Sequence, residues 1–235
     1  MNKLKKLKNE LNKAGSPRRA KASMWFFKTE KGSYGHGDVF LGIRVPVQRV
    51  IAKKYLDLSL KDLQVLLNSK IHEHRLVALI ILVTQFNKAG ENARKRIFDF
   101  YIKNTTRVNN WDLVDTSAGY IVGGYLLQRP KGLLTKLAKS KLLWDRRIAM
   151  IATHRFIYEK QFDEAFKIAK ILLNDQHDLI HKAVGWMLRE VGNRDQRAEE
   201  KFLRKYYKKM PRTALRYAIE KFPKGLQKNY LSGKI

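Results

Sequence analysis

The sequence predicts an all-α protein, and three observations lead to that class. Apolar residues recur at three- and four-residue spacing along most of the chain. No stretch alternates apolar and polar residues for long enough to build a sheet. Only 5 prolines and 14 glycines punctuate 235 residues, so helical runs are left largely uninterrupted.

Taken in order, the elements justify the class. Leu4, Leu7 and Leu11 share one face of a lysine-rich opening helix, which Gly15, Ser16 and Pro17 break. VPVQRVIAKKYLDL, with Pro46 near its start, and SLKDLQVLLNS, with Ser59 as its cap, both read as amphipathic helices. HRLVALIILVTQF and ARKRIFDFYIKN continue the pattern. Similar segments then recur: RLVALIIL from Arg75, DLVDTSAG from Asp112, RRIAMIAT from Arg146, KAVGWMLR from Lys182 and LRYAIEKF from Leu215. Successive starts differ by 37, 34, 36 and 33 residues. A period of roughly 33–47 residues built from helix pairs is the mark of helical solenoids of the HEAT and tetratricopeptide type. Four of the five segments carry a small residue three places in (Ala78, Ala149, Gly185 and Ala218), where neighbouring helices approach closely. The second segment has Asp115 there instead. A carboxylate at a packing slot marks a place for chemistry.

Charge narrows the partner. The chain holds 49 Lys and Arg against 21 Asp and Glu, a net +28, while 44% hydrophobic residues exclude a disordered basic tail. Such a surplus suits a polyanion and disfavours an enzyme for small cations, unless the cation arrives attached to a polyanion. Arg75, Arg107, Arg146, Arg147, Arg155, Lys182, Arg189, Arg212 and Arg216 lie in or beside the second helices of the pairs, and are expected to line a wall that suits a duplex. The absence of cysteine removes disulfides, thiol catalysis and thiolate metal sites. With no secretory signal and no membrane-length apolar run, a cytoplasmic protein is expected.

Few residues could carry chemistry. Trp111 and Asp115, four apart, share a helix face. Trp186 lies two repeats on and Arg147 one repeat on. Each tryptophan could instead pack in the core, Asp115 could pair with a neighbouring arginine, and Asp112 could cap the helix or pair with a base. His177 and His181 stand at i, i+4, but without an HExxH motif or a third ligand they read as surface or phosphate-facing residues, not zinc ligands. Ser117 lacks a GxSxG setting, and the glycines of YGHGD and GYIVGG match no phosphate-cradling fingerprint.

Four strings, GDVFLGIRVP (37–46), NNWDLVD (109–115), WDRRIA (144–149) and HKAVGWMLREVG (181–192), resemble the DNA alkylation-repair family of AlkD-like alkylpurine DNA glycosylases. The match runs from about residue 22 to the C-terminus. The resemblance implies a HEAT-like superhelix that excises N3- or N7-alkylated purines from double-stranded DNA without cofactor or metal. It assigns Asp115 as the catalytic carboxylate, Trp111 and Trp186 as active-site tryptophans, and Arg147 as a backbone-contacting arginine. Arg44, Val45 and Pro46 match the part of the family that lies against the strand opposite the lesion. Phe26 stands where an active member has a tyrosine, keeping an aromatic face for stacking on DNA, and Asn110 stands where it has a further tryptophan. Lys182 and Arg189, beside Trp186, join the expected DNA contacts.

The expectation is therefore an all-α, right-handed α-superhelix (solenoid) of HEAT-like repeats. It forms one domain over 1–235, with a basic N-terminal helix and turn at 1–21 and the repeat array at 22–235, and acts as a monomer. Its expected activity is monofunctional glycosylase action on cationic alkylpurines. A catalytically silent nucleic-acid-binding protein of the same fold and a scaffold for acidic proteins are the alternatives.

Overall fold

The computed structural model describes residues 2–235, and among these every regular element is helical save one isolated bridge, Val39 to Ile71. The chain forms two compact units, one ending at Ser117 and the other beginning at Ala118.

The first unit contains α1 (Lys3–Ala14), α2 (Pro17–Phe26), α3 (Val45–Lys53), α4 (Leu60–Leu67), α5 (His72–Lys88), α6 (Glu91–Lys103) and most of α7 (Trp111–Ala118). The leucine stripe of α1 works as expected, since Leu7 and Leu11 are fully buried. The break at Gly15 to Pro17 is also a start: Ser16 caps α2 and Pro17 opens it, where a missing N–H costs nothing. Ser59 caps α4 in a full capping box with Asp62. Helix α3 stops at Lys53, short of Leu58, because a turn brings Tyr55 and Leu58 into the core instead. Helix α5 is buried on all sides against α1, α3, α4 and α6, which is why its pattern is apolar nearly all round.

In the second unit, a π-helical turn (Gly119–Gly123) continues α7 into α8 (Gly124–Leu126). There follow α9 (Gly132–Ala138), α10 (Leu143–Tyr158), α11 (Asp163–Leu172), α12 (Asp178–Gly192), α13 (Gln196–Tyr206), α14 (Arg212–Ala218) and α15 (Lys224–Ser232). Within this unit α10 packs on α12 and α12 on α14, with α9 and α11 against α10 and with α11 and α13 against α12. The five recurring segments begin in α5, α7, α10, α12 and α14, the second and the fifth running past the end of their helix. The small residues do serve close approach. A Cβ on Gly185 would come 2.3 Å from the carbonyl oxygen of Ala214 in α14. Where Asp115 occupies the small slot, the approach moves down the chain to Gly123, whose added Cβ would meet the Ala152 oxygen at 2.2 Å.

The repeats also share a turn. Ser69 and Ser140 each accept a backbone N–H two residues on (Ile71, Leu142) with the side-chain oxygen, and Asp175 does the same for His177. The carbonyls of the same three residues accept from cationic or imidazole side chains six residues on: Arg75 Nη1 at 2.8 Å, Arg146 Nη1 at 3.1 Å and His181 Nε2 at 2.5 Å. The motif closes the loop before α5, α10 and α12 by satisfying groups that a helix start leaves open.

Candidate active site

Helix α7 is set by its first residues. The Asn110 carbonyl accepts from Val114 N–H at 3.2 Å and its Oδ1 from Trp111 N–H at 2.8 Å, so a fully buried asparagine starts the helix. Leu113, Val114, Ser117 and Ala118 face the interior, where Ser117 Oγ donates to the Leu113 carbonyl and bonds the Tyr101 hydroxyl at 2.9 Å. Trp111 and Asp115 are left together on the half-buried edge. Ser117 is thus a structural hydroxyl.

Behind Trp111 stands a column of rings. Phe27 stacks on Trp111 with centroids 5.2 Å apart and an 18° tilt, and on Phe40 at 5.0 Å. Phe40 in turn stacks on His72 at 4.6 Å. Phe26, 57% exposed, meets Trp111 edge-on at 5.8 Å. The imidazole at the base of the column bridges two carboxylates: His72 Nε2 lies 2.7 Å from Asp112 Oδ2 and Nδ1 3.2 Å from Asp38 Oδ2. Arg75 Nη2 pairs with the same Asp38 oxygen at 2.7 Å. Burial alone would push His72 down, but the charge and hydrogen bond of Asp112, with the bond from Asp38, raise it to about 9. His72 is therefore an imidazolium at neutral pH. Asp38 is buried too, which works against ionisation, yet the His72 hydrogen bond and the Arg75 charge hold it below its usual range.

The segment ahead of α3 is held by a buried carboxylate. Glu73 accepts three backbone N–H groups, from Leu41 at 2.9 Å, Gly42 at 2.7 Å and Ile43 at 3.2 Å. Gly42 needs its positive φ of 77°, and a Cβ there would lie 2.4 Å from Ala20 N and Ser16 O of the α2 start. This turn sends Arg44, Val45 and Pro46 to the surface at the beginning of α3.

In the second unit, Lys182, Trp186 and Arg189 share one stripe of α12. Trp186 is half-buried and donates Nε1–H to Glu190 Oε1 at 3.2 Å, while the His154 ring lies 6.4 Å away. Burial opposes ionisation of Glu190, but bonds from Arg194 and Trp186 keep it below its usual range. His154 is pushed down by burial. Lys182 pairs with Asp178 at 2.7 Å, and Arg189 with Glu220.

Two of the basic residues expected along a DNA-facing wall do not reach a surface. Arg75 is 3% exposed and Arg147 4%. Arg75 clamps the Ser69 carbonyl and Asp38, and Arg147 donates to the Leu179 carbonyl in α12. Arg146 is also largely committed, to Asp175 and the Ser140 and Lys141 carbonyls. The recurrence of arginine at these helix starts reflects loop closure, and Arg147 as placed offers its guanidinium to protein rather than to a phosphate. Arg44, Arg107, Arg212 and Arg216 are exposed. His177 caps α12 by accepting from Leu179 N–H at 3.1 Å, and His181 belongs to the loop motif, so both are half-buried residues of the α12 start. Among the described residues no three His, Asp or Glu are grouped to hold a metal ion. His72, Asp38, Glu73 and Phe27 were missed in the sequence. For His72 and Glu73 the signal is HEHR at the start of the largely buried helix α5, a run of ionisable groups that only buried partners could keep there; Asp38 and Phe27 carry no such local mark.

An all-α chain of paired helices, strongly basic and with a tryptophan and a carboxylate on one helix edge, falls in the class of helical-repeat proteins that act on nucleic acid. Residues 7–222 match the family described as DNA alkylation repair enzyme, and the chain belongs to that family. Among solved structures it resembles a "Predicted DNA alkylation repair enzyme from Enterococcus faecalis", with a TM-score of 0.69 and 18% identity over 89% of this chain and 97% of that one. No curated protein sequence matches the chain. DNA is accordingly its substrate, and alkylation repair its general role. Among the described residues no helix is long and apolar enough to cross a membrane.

Proposed function

We propose that this protein is a monofunctional DNA glycosylase that excises N3- or N7-alkylated purines from duplex DNA. The observation that carries this reading is the pairing of Trp111 and Asp115 on the solvent-reached edge of α7, within a chain of net charge +28. An N3- or N7-alkylated purine bears a positive charge and leaves without protonation by an enzyme acid. As its bond to C1′ breaks, positive charge develops on the sugar, as in glycoside hydrolysis. The Asp115 carboxylate would stabilise that charge and orient the water whose oxygen bonds to C1′, taking up its proton; the products are the free base and an abasic site. The Trp111 face favours the cationic base, a contact worth about 0.5–2 kcal/mol depending on desolvation. Trp186 is assigned to the same reaction by family resemblance, with Lys182 and Arg189 on its helix stripe as phosphate contacts. Arg44, Val45 and Pro46 are surface-placed for the opposite strand. The family resemblance implies action on the sugar while the lesion stays stacked, without a base-flipping pocket, and the half-buried, solvent-reached edge that carries Trp111 is compatible with that.

The test is release of N7-methylguanine from methylated duplex. Asp115→Asn should lower the rate by about 10²–10³, as loss of one preorganised electrostatic group does, with duplex affinity retained. An unchanged rate would remove Asp115 from the mechanism. Phe26 favours a second reading, a catalytically silent DNA-binding member, because it lacks the hydroxyl of an active relative's tyrosine. Wild-type binding without any base release would establish that alternative. Asn110 bears on the question differently: it is fully buried and its Oδ1 accepts from Trp111 N–H, so the residue there acts on how the helix that carries Trp111 begins.

A further inference from the structure

Helix α2 buries none of its ten residues. Its tip carries Met24, Trp25 and Phe26 in succession, all exposed, and Trp25 is 80% exposed. An apolar run of this kind on a free surface normally marks a binding face. The helix is nevertheless firmly placed: Gly42 fits against the backbone of Ala20 and Ser16, and the Arg19 side chain donates from Nε to the Gly42 carbonyl at 2.8 Å. These anchors leave Met24 and Trp25 at the helix tip exposed. The neighbouring sequence is strongly cationic. From residue 11 to residue 29 there are Lys13, Arg18, Arg19, Lys21 and Lys28 and no acidic residue.

The end of the helix adds a second, independent sign. Thr29 N–H bonds the Met24 carbonyl at 3.1 Å and Lys28 N–H the Trp25 carbonyl at 3.2 Å, closing α2 in the manner that ordinarily places glycine at the left-handed position. Here that position is Lys28, with φ of 51°. The fold would be better served by glycine. A strained lysine beside an exposed tryptophan keeps a cation where stability alone would not put one.

We propose that the α2 tip is a duplex-DNA docking element, with Trp25 making a sequence-independent apolar contact to sugars and base faces and Lys28 contacting the adjoining phosphate. The combination of apolar ring and clustered cations suits nucleic acid, whose backbone is anionic and whose bases offer π-faces. Phe26 joins this tip to Trp111, so the docking element is continuous with the candidate active-site edge in the same unit. The inference rests on DNA as substrate and deepens the proposed reading. It can be tested on undamaged duplex, so its failure is distinct from failure of base release.

Trp25→Ala should weaken duplex binding about tenfold or more, with Trp25→Tyr recovering most of it. Its slope of log affinity against log salt should match wild type, since no cation is lost, and so should its Tm. Lys28→Gly should raise Tm yet weaken binding and reduce the salt slope by about 0.9. In the wild type, duplex should shield tryptophan fluorescence from acrylamide, and part of that shielding should vanish in Trp25→Phe. Affinity of Trp25→Ala within twofold of wild type, without Trp25 shielding, overturns the proposal. So does Trp25-dependent co-sedimentation with phosphatidylserine vesicles and no effect on duplex binding, which would assign the tip to a membrane surface.

Discussion

His72 illustrates how one side chain can tie stability to pH. Its folded pKa, raised to about 9, exceeds the ordinary value of 6.5, so the folded state holds a proton that the unfolded chain releases. The stabilisation is complete below pH 6.5 and is lost as pH rises towards 9. His72→Gln breaks a buried charge network and should cost about 3–5 kcal/mol, with a smaller decline in Tm across that pH range than wild type. Glu199 acts in the same direction for a different reason. Burial, and then the Glu200 charge, raise its carboxyl to about 9, and its Oε1 is buried without a protein hydrogen bond. The folded state keeps it neutral while the unfolded chain ionises above 4.5, so stability falls between those values. Glu199→Gln should therefore raise Tm at pH 8 and remove that part of the slope. The His72 behaviour is not legible in the chain, because Asp112 lies 40 residues away and its approach is a tertiary event, and that of Glu199 is not because its burial is one too.

At the scale of elements, the helices themselves were legible and their purposes less so. Apolar spacing is a local property, and it located α1, α3, α4, α5 and α6 together with the recurring segments of α7, α10, α12 and α14. It placed Trp111 and Asp115 on one edge for the same reason: helix geometry relates residues four apart without any further contact. What failed was the inference from recurrence to surface. Arginine recurs at the starts of α5 and α10 because a loop carbonyl there needs a donor, and a sequence does not distinguish a donor to protein from a donor to phosphate. Removing the loop-closing oxygen in Ser140→Ala should cost about 1 kcal/mol, read in urea unfolding, as loss of a helix-start cap does. Gly123→Ala forces a Cβ into the Ala152 carbonyl and should destabilise by about 1–3 kcal/mol through overpacking. By contrast, Gly132→Ala meets no atom within 4 Å and serves as its control.

For the whole molecule, the net charge of +28 sets how DNA binding responds to ions. Duplex affinity should fall steeply with salt, with a slope of about −0.9 per neutralised phosphate, and a salt-indifferent affinity would contradict a phosphate-bound mode. That charge is less available than its size suggests, because Arg75 and Arg147 are enclosed and Arg146 is largely paired. The sequence by itself determined the all-α class, the repeat period, the polyanionic partner and the Trp111–Asp115 edge, since each follows from composition or from spacing within one helix. Only the tertiary structure decided which cations face solvent, that Glu73 gathers the 41–43 loop, that His72 is charged beneath Trp111, and that α2 shows its aromatic tip to the outside. Those outcomes depend on groups distant in the chain meeting in space, where burial makes an unpaired charge costly and so dictates its partner.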